Sequence, residues 1–212
     1  MRILLSKEDM KTCDQNTIEG FGVPSCVLME RAALACVDEL YRSGAALDRV
    51  LVICGSGNNG GDGFAIARLL FLDQVPISIW FVGKEQSCTD QTRHQKEICE
   101  KYGITFCSNP EINEYTVIVD GIFGVGLSRE ITGNYKEIID HMNEAPAYKA
   151  AVDIPSGIHG DTGAVLGTAF EADLTVTFAY KKRGLCLYPG RAYAGRTVVA
   201  DIGIYDRDRD GS

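Results

Sequence analysis

Val50-Leu51-Val52-Ile53-Cys54-Gly55-Ser56-Gly57-Asn58-Asn59-Gly60-Gly61-Asp62-Gly63 passes from an unbroken apolar run straight into a glycine-rich stretch. The segment from Phe64 to Leu72 follows with helical character. A fully apolar strand without alternation is buried on both faces, as in a parallel sheet. Further runs of this kind occur at Ile77 to Val82, Thr116 to Val119, Ala150 to Val152, Leu174 to Phe178 and Thr197 to Ala200. Helical patterns separate the early ones, at Thr89 to Tyr102 and Tyr135 to Asn143. Six strands alternating with helices predict an α/β fold, a doubly wound, mainly parallel Rossmann-like sheet flanked by helices in a single domain.

Upstream, Ser6 and Asp9 form an imperfect capping box for a short helix ending near Gly20, and Val27 to Tyr41 form a second helix stopped by Gly44. These helices and the long Pro155 to Glu171 connection are expected to cover the far edge of the sheet. Residues 1–205 read as one domain. The final Asp206 to Ser212, with alternating charge and a Gly-Ser end, reads as a disordered tail.

The 212 residues suit one domain with one core. Lys and Arg number 21 against 29 Asp and Glu, a net charge of −8, with a pI near 4.9. That balance disfavours nucleic acid and anionic lipid as partners. No apolar run approaches the length of a membrane span, and the charged N-terminus lacks a signal-peptide core. The eight cysteines include no Cys-x-x-Cys pair. They read as small buried hydrophobes in a reducing compartment, so a soluble cytoplasmic protein is expected.

Ligands of open parallel sheets bind beyond the carboxyl ends of the strands. Three segments lie there. Gly55 to Gly63 carries five glycines in nine residues before a helix, which suits either a phosphate cradle or a tight steric turn. Gly55-x-Gly57-x-x-Gly60 also matches the dinucleotide fingerprint, a weak signal alone. Asp120-Gly121-Ile122-Phe123-Gly124-Val125-Gly126-Leu127-Ser128-Arg129-Glu130 starts with a carboxylate ending a buried strand. Such a group needs a cation or several donors, unless it merely caps the turn. Asp153-Ile154-Pro155-Ser156-Gly157 aims Asp153 and Ser156 at one place, making Asp153 the candidate acid/base; turn-making is the plain alternative.

Other signals are weaker. His94, His141 and His159 lack metal-ligand spacing, and Ser56 and Ser156 have no adjacent His and no nucleophile elbow. Lys181-Lys182-Arg183 reads as a solvated basic face with phosphate contact as an option.

Taken together, Gly57-Asn58-Asn59-Gly60-Gly61-Asp62-Gly63, Val119 to Leu127 and Val152-Asp153-Ile154-Pro155-Ser156-Gly157 resemble the NAD(P)H-hydrate epimerase family in order and spacing. Leu28-Met29-Glu30-Arg31-Ala32, Thr177 to Lys182, Tyr188-Pro189-Gly190 and Asp201 to Ile204 extend the likeness. Ala33 departs from the Gly often found there. The resemblance implies epimerisation at C6 of the hydrated cofactors NADHX and NADPHX, as part of nicotinamide nucleotide repair. It implies that Asn58, Asn59, Gly60, Gly61, Asp62, Gly124, Val125, Gly126, Leu127, Ser128, Arg129, Glu130 and Asp153 bind substrate, with Asp153 catalytic. It further implies that Asn59, Asp120 and Ser156 hold one potassium ion per subunit. A homodimer and a functional link to a separate dehydratase are expected on the same ground, because no fused dehydratase domain follows.

In that reading Asp153 as acid helps the C6 hydroxyl leave, giving an iminium-like ring, and as base guides water back to the opposite face. Ring opening to an aldehyde is the other route. Two competing classes remain. An NAD-dependent dehydrogenase would use Gly55, Gly57 and Gly60 with Glu85 on the ribose. A non-catalytic binding module on the same fold is the other.

Overall fold

The protein is described here by a computed structural model, over residues 4–205. The tail expected at 206–212 lies outside the described residues. In chain order the elements are β1 (Leu4–Leu5), α1 (Lys7–Gln15), which runs on into a π-helical turn (Asn16–Gly20), α2 (Ser25–Ser43), β2 (Val50–Cys54), α3 (Asn58–Leu72) and β3 (Ile77–Phe81). There follow α4 (Asp90–Lys101), β4 (Thr105–Cys107), β5 (Val117–Gly121), α5 (Asn134–Glu144) and β6 (Tyr148–Val152). The last are β7 (Leu174–Phe178), β8 (Lys181–Lys182), the short α6 (Gly190–Tyr193) and β9 (Arg196–Ala200).

The main sheet has seven strands in the order β4-β3-β2-β5-β6-β7-β9, and every pairing is parallel. All six anticipated strands are present. The seventh, β4, is a three-residue edge strand, too short to show as an apolar run. β1 and β8 form a separate parallel pair, with Leu5 opposite Lys182. Two-residue strands carry no periodicity, so sequence gave no warning of them.

Both faces of the sheet are covered. Val50, Val52 and Cys54 face one apolar cluster together with residues of α2 and α3. Leu51 and Ile53 face the other, where Ile138, Ile139 and Met142 of α5 pack. This explains why β2 is apolar throughout: successive side chains point to opposite sides, and neither side meets water. The chain leaves β2 toward β4 and later returns to β5 on the other side. The switch point therefore lies between β2 and β5, where ligands of such sheets bind.

Three expectations need correction. Helix α3 starts at Asn58, six residues before Phe64, so most of the glycine-rich stretch is helical. Glycine's poor intrinsic helicity hid this, and tertiary packing overrides it. Of the N-terminal helices, α2 meets the far edge as expected, packing on α3 and β7 with Glu39 accepting from Arg196 of β9 at 3.0 Å; residues of α1 instead meet the strand-tip residues in one cleft. The Pro155 to Glu171 connection folds on itself through the Ile158–Val165 bridge and packs on Leu185 and Ala194. Gly44, with φ of 73°, ends α2 in the left-handed conformation as expected.

Candidate active site

At the switch point the helix start at Gly57 is capped by no side chain. The first amide groups of α3 are thereby left for a ligand, and the helix dipole favours an anion there. Gly60 and Gly61 serve packing in this structure. A Cβ on Gly60 would lie 2.0 Å from the Gly55 carbonyl oxygen, and one on Gly61 would lie 2.6 Å from Cε of Met29. Asn58, Asn59 and Asp62 line the cleft, whereas Gly60 and Gly61 lie behind its wall. The steric and the ligand readings of the glycine motif thus apply to different residues within it.

The tip of β5 supplies Asp120, fully buried. Its Oδ1 accepts from the Ile122 amide at 3.1 Å and from Ser156 Oγ at 2.7 Å, and Oδ2 accepts from the Ser156 amide at 2.8 Å. Burial pushes its carboxyl up to about 6 against the lowering effect of those donors. Ser156 Oγ in turn accepts from the Phe123 amide at 2.9 Å, so the loops after β5 and β6 are tied together. Asn59 stands beside them. A Cβ on Gly124 would come within 3.3 Å of Asn59 Oδ1, and Asn59 Nδ2 is buried without a partner.

The tip of β6 supplies Asp153. Its φ of 66° turns the chain in the left-handed region, which Asp tolerates better than most residues. Three donors converge on Oδ1: Thr177 Oγ1 at 3.2 Å, the Phe178 amide at 3.0 Å and Lys182 Nζ. Lys182 is 2% exposed and also donates to the Phe178 carbonyl oxygen at 2.9 Å. The basic run is therefore not uniformly a solvated face. Lys181 is half-buried, Arg183 exposed, and Lys182 is an internal ion-pair partner.

Asp62 and Asp14 complete the wall. Burial, then the negative charges of Asp153 and Asp14, raise the Asp62 carboxyl well above the usual carboxylate range, against the opposing pull of Lys182. Asp14 is pushed up to about 6, by burial first and the Asp153 charge second. Three carboxyls thus share one buried ammonium, and crowded like charges favour protonation of some of them.

Asn58, Asn59, Asp62, Asp14, Asp153 and Lys182 line one cleft of about 1170 Å³ together with Gly124 to Arg129, whereas Asp120 and Ser156 are buried and not part of its lining. That is more than the roughly 300–1,000 Å³ of a drug-sized ligand site. Glu130 is exposed and is not part of the lining. Sequence reasoning missed Asp14, Lys11 and Gln91, which come from α1 and α4, and Lys182. A lysine at the end of a two-residue strand offered one usable signal, its place just beyond the β7 tip. Glu85 is paired with Lys96 at 2.8 Å and does not line the cleft. His94 and His141 are exposed, and His159 Nδ1 accepts locally from the Asp161 amide at 3.2 Å. Among the described residues no group of His, Cys, Asp and Glu has a metal-binding arrangement, and no helix is long and apolar enough to cross a membrane.

The family model "YjeF-related protein N-terminus" matches residues 25–184. It spans α2 through the turn after Lys182 and so contains all three strand-tip segments. A curated protein of Oenococcus oeni, "NAD(P)H-hydrate epimerase", is 48% identical over 206 residues, covering 96% of this chain and 98% of its own length. The chain belongs to this family. A second NAD(P)H-hydrate epimerase, from Levilactobacillus brevis, is 46% identical over 197 residues, covering 92% of each chain. The crystal structure of yeast ynu0 superposes with a TM-score of 0.81 at 21% identity, covering 97% of this chain and 91% of that one. At that identity the likeness concerns the fold.

Proposed function

We propose that this protein is an isomerase that interconverts the R and S epimers at C6 of NADHX and NADPHX. The observation that carries this reading is the convergence of Asp153, Asp62 and the open end of α3 on one cleft at the β2/β5 switch point. The relatives' names supply the substrate class. The cleft has room for a dinucleotide, the α3 start suits its pyrophosphate, and acid/base groups stand in its wall. The reading extends to a homodimer in a reducing cytoplasm, coupled to a separate dehydratase that consumes the S form.

A potassium ion fits Asn59, Asp120 and Ser156 by donor chemistry, since all three offer oxygen to a hard cation. Asp120 takes three neutral donors, fewer than the roughly four lone-pair positions of a carboxylate. Asn59 has an unsatisfied amide beside it, whose oxygen and nitrogen ends are interchangeable in assignment. When bound, the ion supplies fixed positive charge that orders the loops and orients substrate. Asn58, Asn59 and Gly124 to Arg129 would hold the dinucleotide, Asp62 and Asp153 would handle protons at C6, and Met29 and Leu28 would exclude water from the inner wall.

Purified protein incubated with (R)-NADPHX should bring the epimers to equilibrium, read by chromatography, faster in potassium than in a buffer free of potassium and sodium. An R/S ratio that stays with the enzyme-free control would overturn the reading. Equal rates in both buffers would remove the ion from it.

A further inference from the structure

Asp153 and Asp62 line the same cleft from different elements, the tip of β6 and the second turn of α3. They are held by opposite means. Asp153 Oδ1 takes a buried ammonium, a hydroxyl and a main-chain amide. Such a constellation fixes the Asp153 carboxyl in one orientation at the cleft wall. For Asp62 no donor comparable to Lys182 is found among the described residues.

We infer that the acid and base roles are divided between these two carboxyls: Asp62 gives the proton, Asp153 takes one, and Lys182 is the positioning residue that keeps Asp153 in its role. The inference rests on the epimerase reading above and replaces a single Asp153 serving both turns. It accords with the raised Asp62 carboxyl, and with the rule that neighbouring titratable groups in contrasting environments separate into acid and base. The groups that bear on Asp62 are Asp14 of α1, Asp153 beyond β6 and Lys182 of β8, with Cys36 of α2 also coupled to it.

The Asp62 proton passes to the C6 hydroxyl, the C6–O bond breaks and water departs, while the lone pair of ring N1 forms the C6=N1 iminium bond. Water then adds to the opposite face. The new C6–O bond forms, the C=N pair returns to N1, and the released proton goes to Asp153. In the S to R direction the two carboxyls exchange roles, and proton exchange with solvent resets them. Lys182 is fixed for its part by its main chain, since β8 pairs with β1 at Leu5.

The test is the pH dependence of kcat and KM on (R)-NADPHX for the wild type, Asp62→Asn, Lys182→Met and Lys182→Arg, with thermal melting as the check on folding. The wild type should show an alkaline limb from Asp62 and an acidic limb from Asp153. Asp62→Asn should lower kcat about a hundredfold or more, with KM within about threefold, and abolish the alkaline limb. Lys182→Met should move the acidic limb to higher pH by roughly one unit or more, and Lys182→Arg should restore most of it. A wild-type profile flat into alkaline pH, an Asp62→Asn kcat within about threefold of wild type, or an unmoved acidic limb in Lys182→Met would each overturn the division. A wild type inert toward NADPHX would instead defeat the functional reading, and the division with it.

Discussion

Asp120 and Asp153 stand at the tips of adjacent parallel strands of one sheet, yet they are built for different work. Asp120 is sealed, with Ser156 and the Ile122 amide closing over it. Neutral donors satisfy it only in part, so burial keeps its carboxyl near 6. Asp153 faces the cleft and is neutralised by a buried lysine. The difference teaches that strand-tip position alone does not make a carboxyl reactive. The partner does: neutral amides and a hydroxyl turn one aspartate into a latch between loops, and an ammonium holds the other in place at the cleft wall.

The contrast breaks most visibly at the latch. Asp120→Ala removes the acceptor for the Ser156 and Ile122 amides and the Ser156 hydroxyl, all within a closed site. The cost should be about 3 to 5 kcal/mol of folding stability, because buried donors are left unpaired. Chemical denaturation measures it. A loss below about 1 kcal/mol would mean that the site opens to water and that the latch description fails.

The glycine motif allows a matched pair. Gly60→Ala would drive a methyl into the Gly55 carbonyl, whereas at Gly57 nothing lies within 4 Å of an added Cβ. Gly60→Ala should therefore cost about 1 to 3 kcal/mol or more, and Gly57→Ala roughly 0.5 kcal/mol or less. Comparable midpoints for the two variants in a melting series would show that the helix–strand contact is not what demands Gly60.

The smallest effect concerns Asp14, whose folded-state carboxyl near 6 lies above its ordinary 3.8. The folded form therefore binds this proton more tightly than the unfolded one. The associated stability is fully present below about 4 and is lost as pH rises through about 6. Asp14→Asn should thus stabilise the fold at pH 7.5 by roughly 1 kcal/mol, the full shift being discounted for its partial exposure to solvent. The gain should disappear near pH 4. An unchanged or lowered melting temperature at pH 7.5 would show that neither burial nor the Asp153 charge presses on Asp14.

Much of this molecule was legible in the chain. The apolar run Val50 to Cys54 announced a strand covered on both faces, and the motifs at Asn58, Asp120 and Asp153 marked the tips that meet. The helical identity of Asn58 to Gly63 was not legible, because glycines that weaken an isolated helix are required once that helix presses on a strand turn. The capping box at Ser6 was readable, and both of its bonds form. Where the capped helix would lie was not readable, since that depends on a two-residue pairing with β8.

By itself the sequence determined the alternation of strands and helices, the order of the three tips and the carboxyls they carry. Those features depend on side-chain period and turn stereochemistry within a few residues. Tertiary structure alone decided that Lys182 belongs to Asp153, 29 residues away, that α1 brings Asp14 to the cleft, and that Asp120 is closed off. Such pairings are set by which distant backbones the packed sheet brings within hydrogen-bond reach, and by how much water that packing leaves around each charge.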